Sequence, residues 1–97
     1  MIHNADIARM FDEIADLLEI EEASPFRVRA YRNAARTVEG LGKEVAELVG
    51  RGEDLTRLPG IGKDLAGKID EALRSGHMRA LDELHQRVPA SIEKLLR

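Results

Sequence analysis

A chain of 97 residues with 43% hydrophobic content and a net charge of −3 has the length of one small domain, able to bury a modest core without crosslinks. It has no cysteine, which excludes disulfides and thiolate metal sites. No apolar run approaches the roughly 18 residues of a membrane span, and the start does not read as a signal peptide, so a cytoplasmic protein with no membrane partner is expected.

With no Trp, one Tyr and two Phe, the core must come mostly from Leu, Ile, Val and Ala, which suits packed helices better than a sheet sandwich. The expected fold is all-α, a bundle of four to six short helices forming a single domain over residues 1–97. Ile7, Met10, Phe11, Ile14, Leu17 and Leu18 recur at the spacing of one helical face, which predicts a first helix over about residues 5–20. Asn4 is placed as its N-cap and Asp6 in its first turn, where the helix dipole favours an acid. Ser24 then caps a second helix with Pro25 at its first position. Its buried stripe is expected at Ala30, Tyr31, Ala34, Ala35 and Val38, and "GLG" at 40–42 ends it. A short third helix carries Val45, Leu48 and Val49 and stops at "GRG"; "DLTRL" at 54–58 is at most one turn.

The stretch "LPGIGKDLAGKI" at 58–69 follows, opening a helix with Leu65, Ala66, Ile69, Ala72 and Leu73 inward and Gly76 as its C-cap. The pattern continues through Met78, Leu81, Leu84 and Val88. Pro89 starts a last amphipathic turn with Ile92, Leu95 and Leu96, an apolar surface whose partner is either missing or supplied by another chain.

Charge is segregated along the chain. Residues 1–24 carry seven acids against the single base Arg9, whereas "PFRVRAYRNAAR" carries Arg27, Arg29, Arg32 and Arg36 with no acid. A second basic segment holds Arg57, Lys63 and Lys68 against Asp64. It contains the Gly-rich hairpin. A Gly-x-Gly turn opening into a helix leaves backbone N–H groups free at the positive end of the helix dipole, with no side chain to block approach. That is an anion site, and the repeating phosphate of a nucleic acid is a natural occupant. Gly60, Ile61 and Gly62 would present the amides, with Lys63 and Arg57 adding charge. The bland alternative is an ordinary interhelical turn.

The full pattern of apolar–Pro–Gly–apolar–Gly, followed by Ala66 and Ile69, resembles the helix-hairpin-helix motif that binds DNA backbone without sequence preference, here over about 53–76. With "SPFRVRAYRNAART" at 24–37 and "LDEL" at 81–84, the chain is similar from about Ile7 to Val88 to the N-terminal eight-kilodalton domain of family X DNA polymerases, bacterial and DNA polymerase beta-like. The polymerase palm cannot fit in 97 residues, so the expectation is a fragment of a longer polymerase or a free-standing module. The resemblance implies sequence-independent DNA binding in DNA repair, on gapped or 5′-phosphorylated DNA. It also implies no required cofactor beyond a monovalent cation, sodium or potassium, held by backbone carbonyls of Thr56, Leu58 and Ile61.

Some relatives remove a 5′-deoxyribose phosphate through a lysine Schiff base, and that catalytic lysine falls on Lys68, with Tyr31 matching a tyrosine of the same pocket. The sequence departs from the family there. Asp64 stands where a base is expected, His77 and Ala80 replace two lysines, and Phe26 and Arg27 replace a His–Lys pair.

Arg29, Arg32 and Arg36 line one helical face. They either contact DNA or pair with the acids of the first helix. His3, His77 and His85 lack metal-ligand spacing and are expected to be solvated; Asp12, Glu13, Asp16 and Glu19 are expected to form a solvent face. Gly67 either permits a close approach or is incidental. Three functional readings stay open: a DNA-binding module, a protein-interaction module of the same fold with little DNA affinity, and a lyase acting through Lys68.

Overall fold

The computed structural model describes residues 1–90 together with Ile92 and Leu95. Among these residues it contains α1 (Asn4–Ile20), α2 (Pro25–Glu39), α3 (Val45–Gly50), a 3-10 turn (Leu55–Arg57), α4 (Lys63–Ser75) and α5 (Arg79–Arg87), with no strand. The all-helical expectation holds. The predicted stripe of α1 is the spine of the core: Ile7, Phe11, Ile14, Leu17 and Leu18 are buried and Met10 half-buried. It packs on α2 and α5. Tyr31, Ala34, Ala35 and Val38 line the buried side of α2, and the Phe11 and Tyr31 rings meet at 5.8 Å between centroids, tilted by 57°. Leu65, Ile69 and Ala72 from α4, Leu81 and Leu84 from α5, and Met78 and Val88 at the ends of α5 complete one cluster.

Two sequence-based placements are corrected. Ala30 is exposed, not part of the α2 stripe; a methyl group is small enough to sit on either face at little cost. Asn4 is not the N-cap of α1. That position belongs to His3, whose N–H donates to the Asp6 carboxylate at 2.8 Å. Asn4 is buried, and its side chain reaches forty residues along the chain, accepting from Val45 N–H and donating to the Lys43 carbonyl, both at 2.8 Å. Glu44 returns the contact, its carboxylate accepting from the Asn4 N–H at 3.2 Å. The starts of α1 and α3 therefore cap one another. Asn4→Ala is expected to cost about 1–3 kcal/mol, because it leaves the Val45 N–H without a partner in a buried place. A thermal melt checks this, and Asn4→Asp, which keeps the acceptor, should lose less.

The end of α1 is a Schellman motif without glycine. Ala23 N–H bonds to the Leu18 carbonyl at 2.9 Å and Glu22 N–H to Glu19 at 3.0 Å, with Glu22 itself at φ 57. The Gly-terminated ends of α3 and α4 use Gly52 and Gly76 in the same left-handed region. The turn expected after Pro89 begins with Ile92 N–H on the Pro89 carbonyl at 3.0 Å; Ile92 and Leu95 are exposed, and Leu96 lies outside the described residues. No helix among the described residues is long and apolar enough to cross a membrane.

Three surface carboxylates are held below their ordinary range: Asp6 by the His3 N–H and then Arg9, Glu21 by Arg87, and Asp54 by the Thr56 hydroxyl and N–H. Because the folded chain binds protons at these groups less readily than the unfolded chain, their contribution is complete above the ordinary values of 3.8 for Asp and 4.5 for Glu. It is lost as pH falls through the depressed folded values. The melting temperature should therefore be level down to about pH 5 and fall below it, as a series of melts across that range will report.

Candidate nucleic-acid interface

The hairpin is built on a type II turn over Leu58–Ile61. Pro59 sets the second position, and Gly60 at φ 75 takes the third, which needs the left-handed region. Ile61 N–H closes the turn on the Leu58 carbonyl at 3.1 Å, and the Ile61 side chain anchors it in the core at 3% exposure. Conformation, not space, selects Gly60, since a Cβ there would only touch Asn33 at 4.0 Å. From the other side Thr37 on α2 donates its hydroxyl to the Pro59 carbonyl at 2.7 Å. Asp54 caps the preceding 3-10 turn, accepting from the Thr56 N–H and hydroxyl at 2.9 and 2.7 Å.

Past the turn, Gly62 is the N-cap of α4 in extended conformation, with no side chain to satisfy the helix end. The first bond into the helix is Ala66 N–H to the Gly62 carbonyl at 2.9 Å. The N–H groups of Gly62, Lys63 and Asp64 thus stand open at the positive end of a 13-residue helix. Nothing lies within 4 Å of where a Gly62 Cβ would be. Of the donors expected at Gly60, Ile61 and Gly62, the Ile61 amide is used inside the turn, the Gly60 and Gly62 amides have no hydrogen bond within the described residues, and Lys63 and Asp64 extend the row into the helix.

The cations of the two basic segments fall in different places. Lys63 and Arg57 are exposed on the hairpin itself. Arg36 is exposed and donates to Asn33 Oδ1 at 2.8 Å, and since Asn33 abuts Gly60, this arginine sits beside the turn. Arg29 lies farther back, its guanidinium 5.3 Å from the centroid of the Phe26 ring, which is 76% exposed.

Arg32 is committed elsewhere. It reaches Asp16 at 2.7 Å, Glu19 at 2.6 Å and Asp12 at 3.4 Å, so those acids are ion-pair partners and not simply a solvent face. Partial burial works against the Arg32 charge, but the hydrogen bonds it donates to Asp16 and Glu19 and the other carboxylate interactions outweigh it and hold the guanidinium above its ordinary range. Arg32→Met is expected to destabilise the fold by up to about 1 kcal/mol, since three carboxylates, two of them half-exposed, lose their shared counter-ion. Melts should show that loss while the open amides of the hairpin are unaffected.

Lys68 is tied back to the first turn of α4. Its side chain is 17% exposed, and Nζ lies 2.7 Å from Asp64 Oδ1. Burial pulls the ammonium down, yet the Asp64 hydrogen bond and the neighbouring Tyr31 hydroxyl outweigh burial and raise it. Lys68 lines an open cleft of about 540 Å³ with Gly67, Glu71, Arg74, Arg79 and Glu83. Nothing lies within 4 Å of a Cβ at Gly67, so no helix approaches there. His77 is exposed and Ala80 half-buried. The other two histidines are exposed as expected and are also paired: His3 Nδ1 is 3.0 Å from Glu44, and His85 Nε2 is 2.9 Å from Glu13. Among the described residues no cluster of three His, Cys, Asp or Glu could hold a metal ion. Thr37 and Asn33, which seat the hairpin on α2, were not singled out from the sequence.

Comparison with known proteins shows the family. The helix-hairpin-helix domain family matches residues 2–78, from the start of α1 through α4. The chain is 32% identical over 96 residues to the DNA polymerase/3′-5′ exonuclease PolX of Bacillus subtilis, covering 99% of this chain and 16% of that protein. It is 26% identical over 87 residues to DNA polymerase lambda of Rattus norvegicus, covering 90% and 14%. The chain therefore spans about a sixth of the length of these relatives, both family X polymerases. It belongs to the helix-hairpin-helix domain family, of the kind that family X DNA polymerases carry.

Proposed function

We propose that this chain binds DNA through its backbone, without sequence preference, on gapped or 5′-phosphorylated substrates in DNA repair. The observation that carries the reading is the open row of N–H groups at Gly62, Lys63 and Asp64, ending a hairpin whose turn is locked by Pro59, Gly60 and Thr37. Amides at a helix start recognise phosphate and not bases. Lys63, Arg57 and Arg36 flank the row and supply the charge, with Arg29 at the margin. The relatives are DNA polymerases by name, which supports the same reading, and further polymerase domains are natural companions of such a module.

A sodium or potassium ion fits the proposal at the carbonyls of Thr56, Leu58 and Ile61. The Leu58 carbonyl gives one lone pair to Ile61 N–H and keeps a second. Lys68 takes no nucleophilic part in this reading, because a Schiff base needs a neutral amine and the Asp64 contact favours the ammonium.

The test is fluorescence anisotropy with a gapped, 5′-phosphorylated duplex and an intact duplex across a salt series. Two or three neutralised phosphates predict a log–log slope of about −2 to −3. No binding at low salt would sink the DNA reading. The alternative is then a protein-interaction module, which the exposed Phe26 with Arg29 stacked on it favours.

A further inference from the structure

Asp64 stands where a phosphate grip should be most positive. It is the second residue of α4, its N–H belongs to the open donor row, and 78% of its side chain is exposed. Its carboxylate nevertheless turns along the helix to Lys68, four residues on, with Oδ1 2.7 Å from Nζ. Lys68 is the less exposed partner at 17%. Its ammonium lies beside the Tyr31 hydroxyl, whose ring is anchored against Phe11. Lys68 is thus paired within the chain through Asp64. The first turns of α4 carry Lys63, Asp64 and Lys68; one of the two positive charges is cancelled there before any ligand arrives.

Two consequences follow for an approaching polyanion. A phosphate at the open amides meets a carboxylate of its own sign on the same helical turn. The nearest further cation on the helix is already paired. An acid in the first turn does favour the helix dipole, so Asp64 has a structural benefit as well, but that benefit needs no lysine one turn along.

We propose that Asp64 sets the affinity of this hairpin for DNA: as an internal counter-ion it keeps Lys68 from phosphate, so that bound DNA is released readily. The proposal rests on the DNA-binding reading above and adds a residue that limits it. Removing the carboxylate frees one cation, and one additional neutralised phosphate steepens the salt slope by about 0.9, which near 0.1 M salt is roughly tenfold in affinity.

The experiment compares the unsubstituted chain, Asp64→Asn and Asp64→Asn/Lys68→Met on the gapped duplex across the salt series, with a thermal melt of each. The expected result is roughly tenfold tighter binding and a slope steeper by about one for Asp64→Asn, most of it lost again in the double variant. A merely structural role for Asp64 would move the melting temperature and leave the slope alone. If the unsubstituted chain binds and Asp64→Asn binds no better, the counter-ion role is overturned while the DNA reading stands. A gain that persists in the double variant also overturns it, because Lys68 is then not the cation released. If neither the unsubstituted chain nor Asp64→Asn binds at low salt, both readings fail together.

Discussion

Phe11→Ala is expected to destabilise the chain by about 3–5 kcal/mol, a large part of the about 5–15 kcal/mol that holds a domain of this size together. Phe11 is completely buried at the middle of α1 and is one of only two phenylalanines. Its ring meets Tyr31 across the α1–α2 contact, tilted by 57°, and the rest of the buried core around it is aliphatic, so its removal leaves a cavity beside Tyr31. At about 4–8 °C per kcal/mol for a domain under a hundred residues, the melting temperature should fall by well over ten degrees. Phe11→Leu is the control and should cost less than about 1.5 kcal/mol, because most of the volume is kept. The same substitution reaches the candidate site. Tyr31 carries the hydroxyl beside Lys68, so a loosened Tyr31 ring should also disturb the Lys68 side-chain resonances. A loss under about 1 kcal/mol would mean that α1 and α2 are not packed through this ring.

The helical stripes were readable because a buried helix face repeats at 3.6 residues, and that period survives in Ile7 through Leu18 and in Leu65 through Ala72 whatever the neighbours do. Ends marked by residues with a strong backbone preference were equally readable: Ser24 with Pro25, Gly60 after Pro59, and Gly76. Asn4 shows where this stops. An asparagine ahead of an apolar stripe looks the same in sequence whether it caps its own helix or another one. The choice depends on Lys43 and Val45, forty residues away. Glu22 shows the opposite case. The Schellman bonds form at the end of α1 with a glutamate in the left-handed region, a conformation for which its residue type gives no local signal.

The site was legible as a motif but not as a geometry. Pro59, Gly60 and Gly62 announced the hairpin, because few other residues can make that turn. Which amides stay open could not be read off. Ile61 looks like a donor in the sequence and becomes an acceptor-bound one only when the turn closes on Leu58. The arginine stripe had two equally good explanations until the distances separated them: Arg32 faces Asp16 and Glu19, whereas Arg36 lies by the turn. Thr37 and Asn33 leave no local signal at all, since a threonine near the end of a helix, or an asparagine in its middle, is ordinary until the hairpin folds back onto it.

Gly62→Glu is expected to weaken binding of the gapped duplex by at least tenfold, about 1.4 kcal/mol, with little change in melting temperature. The two glycines of the hairpin are not equivalent as test sites. Gly60 sits at φ 75, so any side chain there strains the turn by about 1–2 kcal/mol, and a loss of binding would be confounded with a loss of shape. Gly62 sits at φ −87 and ψ −174, a conformation open to every residue. A Cβ there meets nothing within 4 Å. Glutamate is a poorer N-cap than glycine, by about 1 kcal/mol or less, and this is the only folding penalty the geometry offers. What the substitution does change is the space in front of the open amides. It places a flexible carboxylate where the phosphate should sit, able to repel the ligand or to accept from Lys63 and Asp64 N–H itself. Gly62→Ala separates the two effects, adding a Cβ without charge, and should lose much less. Gly62→Lys adds bulk with the opposite sign and should bind as well as the unsubstituted chain or better at low salt. If Gly62→Glu binds DNA as tightly as the unsubstituted chain, with an equal salt slope, the phosphate does not lie at the start of α4. The grip would then have to be sought among Arg29 and the cations of the α4–α5 cleft, where no row of free amides exists and affinity would depend on side-chain charge alone.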